Sequence, residues 1–363
     1  MRVSTRTHNT PERDPLMPSI LHVTESYAGG VVAAVRDYVA STPAFAHHLL
    51  FADRPDAPVD SSSFVGFHTV TRLPPGNIAR IRRIRSTTRN LAPQAVHAHS
   101  SFAGAYTRLA LNARRRRVVY TPHCYAFERA DVNPLTSLAF KTVEHLLSFN
   151  TTVFAACSPR EAALSNWRGC KASVLFVPNL PPSGDLQRAR RTGTSHERLR
   201  LVGAGRASAQ KDPTFFLRCV EYAHRAGLPI QATWIGSDPG FGDAGRALDI
   251  DVTGWLSRDE ALTTLAENDI YLHTGLWEGF PLAVLEALDV GVAAVVRDVP
   301  AFAGVDLPKV ATETDFVRLL GDAGSEADIA QLWTQGVHSL RDNTRINQLS
   351  ALHRVYGGRN VGH

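Results

Sequence analysis

Short apolar runs, each bounded by glycine, proline or a polar turn, recur along the chain, and between them lie longer segments whose apolar residues return every three or four positions. This alternation predicts buried parallel strands joined by helices. In the first half strands are predicted at 19–23, 47–52, 64–70, 95–99, 152–156 and 174–177, with 118–125 a strand running into a loop. Helices are predicted at about 31–40, 76–91 and 135–149, the second with Ile78, Ile81 and Ile84 on one face, and Ser158 caps a further helix. The polar, Pro/Gly-rich stretch 181–198 breaks the pattern and reads as a linker. Strand signals resume at 199–204, 232–236, 252–256, 270–272 and 292–296, and Ser257 caps a helix starting near Arg258. Pro281 is expected at the first helical position, where its fixed φ suits the turn and its missing N–H costs nothing, and that helix ends near Gly291. Helices are predicted again at 315–320, 326–340 and 346–356.

A length of 363 residues with 44% hydrophobic content allows two domains with substantial cores. Cys124, Cys157, Cys170 and Cys219 lack CxxC spacing, which suggests neither a disulfide framework nor a zinc site and fits a reducing cytosol. No apolar run is long enough to span a membrane. Residues 1–17 lack the apolar core of a signal peptide and read as a tail, with Met17 an alternative start. Charge divides the chain: residues 1–180 carry 21 Lys and Arg against 11 Asp and Glu, residues 199–363 carry 14 against 21. A basic first half and an acidic second half point to two domains with different partners. Arg80, Arg82, Arg83, Arg85 and Arg89 surround the helix at 76–91, and Arg114, Arg115, Arg116 and Arg117 form a second basic run. Such patches suit either plain solvation or contact with an anionic membrane. Nucleic acid is not expected, since no aromatic platform or recognition motif accompanies the charge.

The segment 269–298 concentrates the candidate chemistry. Glu278 lies in the loop before the Pro281 helix, and Glu286 about five residues into it, roughly 7–8 Å along the axis. The Glu286 side chain tilts back toward the N-terminus, whose free N–H groups and dipole favour a diphosphate. Ribose hydroxyls and a sugar would then suit the two carboxylates, although spacing alone leaves open a solvated Glu278 and an ordinary ion pair at Glu286. Arg206 and Lys211 sit on a loop leading into a helix, where the dipole itself favours anions; a diphosphate held from both sides or plain surface charge would explain them. Gly29-Gly30, between a strand and a helix, allows close backbone approach but is no dinucleotide fingerprint. His97 and His99 alternate on one strand without an Asp, Glu or Cys to complete a metal set, so they are expected to be structural or cleft-lining. His123 follows a strand end, where open α/β sheets bind ligands.

The pattern Glu278-Gly279-Phe280-Pro281-Leu282-x-x-x-Glu286 resembles that of the retaining GT-B glycosyltransferases of family 4, also called group 1. Gly29-Gly30, Thr-x-His at His123, and Arg206 with Lys211 fall in the family's order, and the likeness extends over about 340 of the 363 residues. It departs at Pro281, where the family often has glycine, and in an Ala-rich helix thereafter. The resemblance implies an α/β, GT-B fold: two Rossmann-like domains, at 18–180 and 199–340, facing across a cleft, with a last helix at about 344–357 packing back on the first. It implies metal-independent transfer of a sugar from a UDP- or GDP-linked donor to a hydroxyl with retention, needing no cofactor.

In that scheme Arg206, Lys211 and the helix N-terminus at Gly279, Phe280, Pro281 and Leu282 hold the diphosphate, and Glu278 orients the donor sugar. Glu286 holds the ribose, Trp255 and Leu256 lie at the base, Gly29 and Gly30 lie near donor phosphate and acceptor, and His123 stands beside the reacting sugar. The basic patches point to polysaccharide or glycolipid assembly at the cytoplasmic membrane face, with a soluble natural product as the other acceptor class. A sugar-nucleotide epimerase, a hydrolytic or phosphorolytic enzyme of the same fold, and a non-catalytic binding protein are the competing functions. The last would be expected to lose one of His123, Arg206, Lys211 and Glu278, and all four are present.

Overall fold

The computed structural model describes residues 17–53, 61–186, 198–238 and 240–357. Apart from Met17, the expected N-terminal tail lies outside the described residues, as do residues 187–197 of the expected linker.

Strand β1 (Ser19–Thr24) leads into helix α1 (Gly30–Ser41), followed by β2 (Ala46–Phe51), β3 (Phe67–Arg72), α2 (Asn77–Leu91), β4 (Ala95–His99) and α3 (Ser101–Ala110). Then come β5 (Arg117–Thr121), α4 (Pro134–Ser148), β6 (Val153–Ala156), α5 (Pro159–Leu164) and β7 (Ser173–Phe176). These strands form one parallel sheet in the order β3-β2-β1-β4-β5-β6-β7. The second unit contains β8 (Leu199–Ala204), α6 (Pro213–Arg225), β9 (Ile230–Ile235), α7 (Gly242–Ala247), β10 (Ile250–Val252), α8 (Arg258–Ala266) and β11 (Ile270–His273). It continues with α9 (Leu282–Asp289), β12 (Ala293–Arg297), β13 (Lys309–Val310), α10 (Glu313–Asp322) and α11 (Glu326–Ser339). Its parallel sheet runs β10-β9-β8-β11-β12-β13.

The strands are apolar because helices cover both faces. Every residue of β4 and β11 is buried. Polar caps stop and start the helices: Ser158 and Ser257 accept from the backbone N–H groups of Glu161 and Glu260, and Glu260 returns the bond to Ser257 in a capping box. The last helix, α12 (Arg345–Tyr356), crosses back to the first sheet, where Leu352, Val355 and Tyr356 bury against Ile20, Val119 and Val153.

Three expectations are corrected. Pro281 is extended (φ −73°, ψ 122°) and immediately precedes the first helical residue, Leu282. Its ring still fixes the approach to the helix, but it contributes no helical turn. Ile78 does not share a buried face with Ile84: in the first turn of α2 it is 67% exposed, whereas Ile84 is fully buried. The strand expected at 64–70 starts later, at Phe67, since Ser61–Phe64 is a single 3₁₀ turn.

Candidate active site

Open α/β sheets bind ligands outside the carboxyl ends of their strands, where the strand order reverses. In the second sheet β8 and β11 flank that point, and in the first sheet β1 and β4 do. The residues singled out in the sequence follow these strands: Arg206 and Lys211 follow β8, Glu278 follows β11, Gly29 and Gly30 follow β1, and His123 follows β5, next to β4.

The loops after β8 and β11 are tied together. The Leu276 N–H donates to the Gln210 carbonyl at 2.8 Å, and the Gln210 side-chain amide donates to the Trp277 carbonyl at 2.9 Å. Thr274 Oγ1 donates to the Lys211 carbonyl. Lys211 Nζ and Glu278 Oε1 form an ion pair, with side chains only 21% and 13% exposed. His273 Nε2 lies 3.8 Å from the same carboxylate and has no hydrogen-bond partner among the described residues, while its Nδ1 lies 3.0 Å from the Tyr271 hydroxyl. Burial first, then the Lys211 charge, hold His273 well below the ordinary proton affinity of an imidazole. Gly275 leaves room for this group, since a Cβ there would stand 2.8 Å from His273 Nε2 and 3.1 Å from Glu278 Oε1.

Glu286 faces the other side of the same helix start. Its carboxylate accepts from Arg258 at 3.3 Å; burial raises its proton affinity and Arg258 partly offsets this. A small pocket opens there, lined by Ala204, Ile235, Arg258, Leu262, Tyr271 and Glu286. Across the cleft, Asp37 on α1 is pushed up to about 6 by burial, opposed by Arg258 and Arg345. Trp255 is 66% exposed and is therefore not a packing residue, whereas Leu256 is half-buried against the core of its domain. Arg206 is half-buried beside Gly205.

The first domain meets this face closely. A Cβ on Gly279 would stand 2.8 Å from both the Cys124 nitrogen and the His123 carbonyl carbon. Only glycine permits that approach between the two loops. Gly30 faces Leu282 Cδ1, 3.8 Å from where its own Cβ would be, and Gly29 adopts φ 52° at the start of α1. His123 and Cys124 both hold positive φ (49° and 88°), a costly pair for residues with side chains, fixed in part by the Cys124 N–H donating to buried Glu161 at 2.6 Å. Asn179 bridges the domains, donating to the Phe280 carbonyl at 3.1 Å.

The structure thus brings together Lys211, Glu278, Gly279, Leu282 and Glu286 with Gly30 and His123. It divides the basic patches. Arg80 donates to the Pro74 carbonyl at 3.2 Å, Arg85 to the Ala110 carbonyl at 2.9 Å at the end of α3, and Arg117 to the Val355 and Arg354 carbonyls at the end of α12. Arg85 and Arg117 are structural, because free carbonyls at helix ends attract guanidinium groups, and Arg80 ties α2 to the loop that precedes it. Arg82, Arg83, Arg89, Arg114, Arg115 and Arg116 are exposed. Sequence reasoning missed Arg258, Asp37 and His273 as site residues. His273, at the end of a strand beside the switch point, carried a positional signal.

Comparison with known proteins fits this geometry. Residues 18–180 match the glycosyl transferase 4-like domain, and residues 198–332 match the glycosyl transferases group 1 domain. An uncharacterized protein of the cps region of Klebsiella pneumoniae is 21% identical over 81% of this chain and 84% of its own. A UDP-Gal:alpha-D-GlcNAc-diphosphoundecaprenol alpha-1,3-galactosyltransferase of Escherichia coli is 25% identical over 56% of this chain and 57% of its own. Among solved structures, Anabaena HepE in complex with UDP superposes with a TM-score of 0.69 at 14% identity, covering 93% of this chain and 98% of that one. The lipopolysaccharide outer core galactosyltransferase WaaB superposes with a TM-score of 0.67 at 15% identity, covering 93% and 98%. Two parallel α/β domains of this topology, both matched, place the chain in the group 1 (family 4) glycosyltransferases of the GT-B fold.

Proposed function

We propose that the protein transfers a sugar, with retention, from a nucleotide-sugar held by the second domain to a lipid-linked hydroxyl acceptor held by the first. The observation that carries this reading is one short segment, 278–286, that presents Glu278 paired to Lys211, a free helix start, and Glu286 beside a pocket. The nucleoside occupies the pocket, with Glu286 accepting from ribose hydroxyls and exposed Trp255 and half-buried Leu256 at its rim. Arg206, Lys211 and the N–H groups at the start of α9 take the diphosphate and stabilise it as it leaves, in place of a metal ion. Glu278 orients the sugar, whose far side meets His123 and the Gly29-Gly30 turn. No resident cofactor is needed. The UDP and diphosphoundecaprenol in the names of similar proteins support a uridine donor and a polyprenyl acceptor.

The first domain carries a surface suited to such an acceptor. Helices α2, α3 and α4 pack side by side. They expose Phe102, Leu109, Leu135, Leu138 and Leu146 beside Arg82, Arg83, Arg89 and Arg114–Arg116. Exposed apolar side chains and arginines on adjacent helices favour an anionic bilayer, each cation adding about 1 kcal/mol near the surface. None of the helices described is long and apolar enough to cross a membrane, so contact would be peripheral. A cytoplasmic membrane face therefore suits the enzyme.

The test is a thermal-shift and calorimetry screen against UDP, GDP, ADP and their sugar conjugates. Stabilisation by one nucleoside diphosphate, lost in Lys211→Ala and Glu286→Ala, is expected; no response to any nucleotide would refute the donor site. Sedimentation with phosphatidylglycerol vesicles, reduced in Leu138→Asp/Leu146→Asp, is expected for the surface, and no binding by the wild type would remove the membrane from the proposal.

A further inference from the structure

Four histidines from neighbouring strands meet in an unbroken line. His47 lies on β2, His22 on β1, His99 on β4, and His123 just after β5, the order in which these strands stand side by side. Ring centroids are 5.2 Å apart for His47–His22, 5.3 Å for His22–His99 and 5.4 Å for His99–His123, close to the spacing between strands. Each contact joins ring nitrogens: His47 Nδ1 to His22 Nε2 at 3.0 Å, His22 Nδ1 to His99 Nε2 at 3.0 Å, and His99 Nδ1 to His123 Nε2 at 3.2 Å. At the inner end His47 Nε2 lies 3.0 Å from the Thr42 carbonyl.

That carbonyl sets the direction of the whole line. A carbonyl only accepts, and the Thr42 hydroxyl, 3.2 Å from the same nitrogen, already donates its proton to the Tyr38 carbonyl at 2.6 Å, so His47 Nε2 carries the proton and its Nδ1 is an acceptor. His22 must then donate from Nε2 and accept at Nδ1, and His99 likewise. His123 donates from Nε2 to His99, leaving Nδ1 unprotonated and, among the described residues, without a partner. Burial keeps the rings neutral: His22 and His99 fall well below the ordinary imidazole value, and His47 and His123 fall to about 4. The neighbours add no anion. His97 lies tilted against His99 at 4.1 Å and is saturated by Tyr356 Oη at 3.1 Å and Thr121 Oγ1 at 2.8 Å; Tyr38, Phe45, Phe67 and Tyr356 also pack against the line. His22, His97 and His99 present ligand atoms within 4.8 Å of one another, but every one of those ring nitrogens already has a protein partner.

We propose that His99, His22 and His47 are positioning residues that transmit the polarity of the Thr42 carbonyl to His123, so that His123 meets the donor sugar as a neutral acceptor nitrogen. The role rests on the donor site proposed above. Its chemical consequence is selectivity: a sugar hydroxyl can donate to the His123 lone pair, whereas a carboxylate in the same place is repelled. Neutral, hydroxyl-bearing sugars are therefore the donor class, and uronate conjugates of the same nucleotide are poor donors.

Nitrogen-15 NMR of the full-length protein labelled at histidine reads the tautomers directly. Four neutral rings protonated at Nε2 are expected; protonation of His123 at Nδ1 in the wild type would overturn the proposal without any variant or ligand. His47→Leu removes the anchor and is expected to mix the His123 tautomers and lower turnover about 10-fold, with KM for the nucleotide-sugar unchanged. His47→Gln keeps one donor and one acceptor and should restore both readouts. An unmoved His123 tautomer in a folded His47→Leu, or a turnover loss that His47→Gln does not rescue, would contradict the relay. Addition of UDP-glucose should shift the His123 Nδ1 resonance and addition of UDP-glucuronate should not. Equal shifts would remove the selectivity, while absence of nucleotide binding in calorimetry would instead remove the donor site.

Discussion

The ion pair between Lys211 and Glu278 makes a prediction that ordinary loss of a contact does not. Lys211→Ala removes one charge-assisted contact to a bound diphosphate, about 1.5–3 kcal/mol. It also leaves the Glu278 carboxylate, which is only 13% exposed, facing that diphosphate without its cation. At about 5 Å and an effective dielectric near 20, each pair of unit charges repels by roughly 3 kcal/mol, which partial exposure reduces to about 1–2 kcal/mol. Together these amount to about 2.5–5 kcal/mol, so the single variant should bind UDP roughly 70-fold to 5,000-fold more weakly. The double variant Lys211→Ala/Glu278→Ala should recover about 5-fold to 30-fold of that loss in binding while remaining inactive in transfer. A double-mutant cycle by calorimetry at fixed salt measures the coupling. A double variant that binds no better than Lys211→Ala, or effects that add within about 0.5 kcal/mol, would show that the two side chains do not share the diphosphate site.

Other consequences follow from particular contacts. Gly279→Ala places a Cβ 2.8 Å from backbone atoms of His123 and Cys124, so the loops must part; turnover should fall at least about 10-fold while the melting temperature moves little. Arg108 and Glu144 pair at 2.8 Å with side chains 0% and 5% exposed, and Tyr120 donates to the same carboxylate at 2.9 Å. Glu144→Gln should cost about 3–5 kcal/mol in urea unfolding, and Arg108→Met/Glu144→Leu distinctly less, because it leaves no buried unpaired charge. Stability should fall on acidification: His22, His97, His99 and His273 sit well below 6.5 in the folded protein, and His47 and His123 at about 4. Below about pH 6.5 the unfolded chain then binds more protons, at up to about 1.4 kcal/mol per histidine and pH unit. Carboxyls raised by burial, Asp37 at about 6 among them, act in the opposite sense but only once pH drops through their folded values. The melting temperature should thus be lower at pH 5.5 than at pH 7.5, and a flat or inverted profile would show that the histidines are not held neutral.

Much of the site was legible because its residues are local in sequence. Glu278, Pro281 and Glu286 lie within three turns' length of chain, and a helix start with flanking carboxylates has chemical meaning before any tertiary structure is known. The partners were not legible. Lys211 pairs with a residue far along the chain because β8 and β11 are neighbours, and strand order is a tertiary fact. For the same reason His97 and His99 stood out as an alternating pair while His22 and His47 passed as strand residues; only the order β2-β1-β4-β5 lines them up. The arginine patches misled in part because charge does not tell a solvated guanidinium from one that caps a helix, as Arg85 and Arg117 do. Ile78 followed the helical period yet lies in a first turn and is mostly exposed.

The most direct measurement follows the slow hydrolysis of an α-linked UDP-hexose by proton NMR, with water replacing the acceptor. Release of UDP with the α-anomer of the sugar appearing first, abolished in Lys211→Ala and Glu286→Ala, is expected of a retaining transferase with this donor site. The β-anomer first, or an epimerised nucleotide-sugar formed without release of UDP, would contradict it.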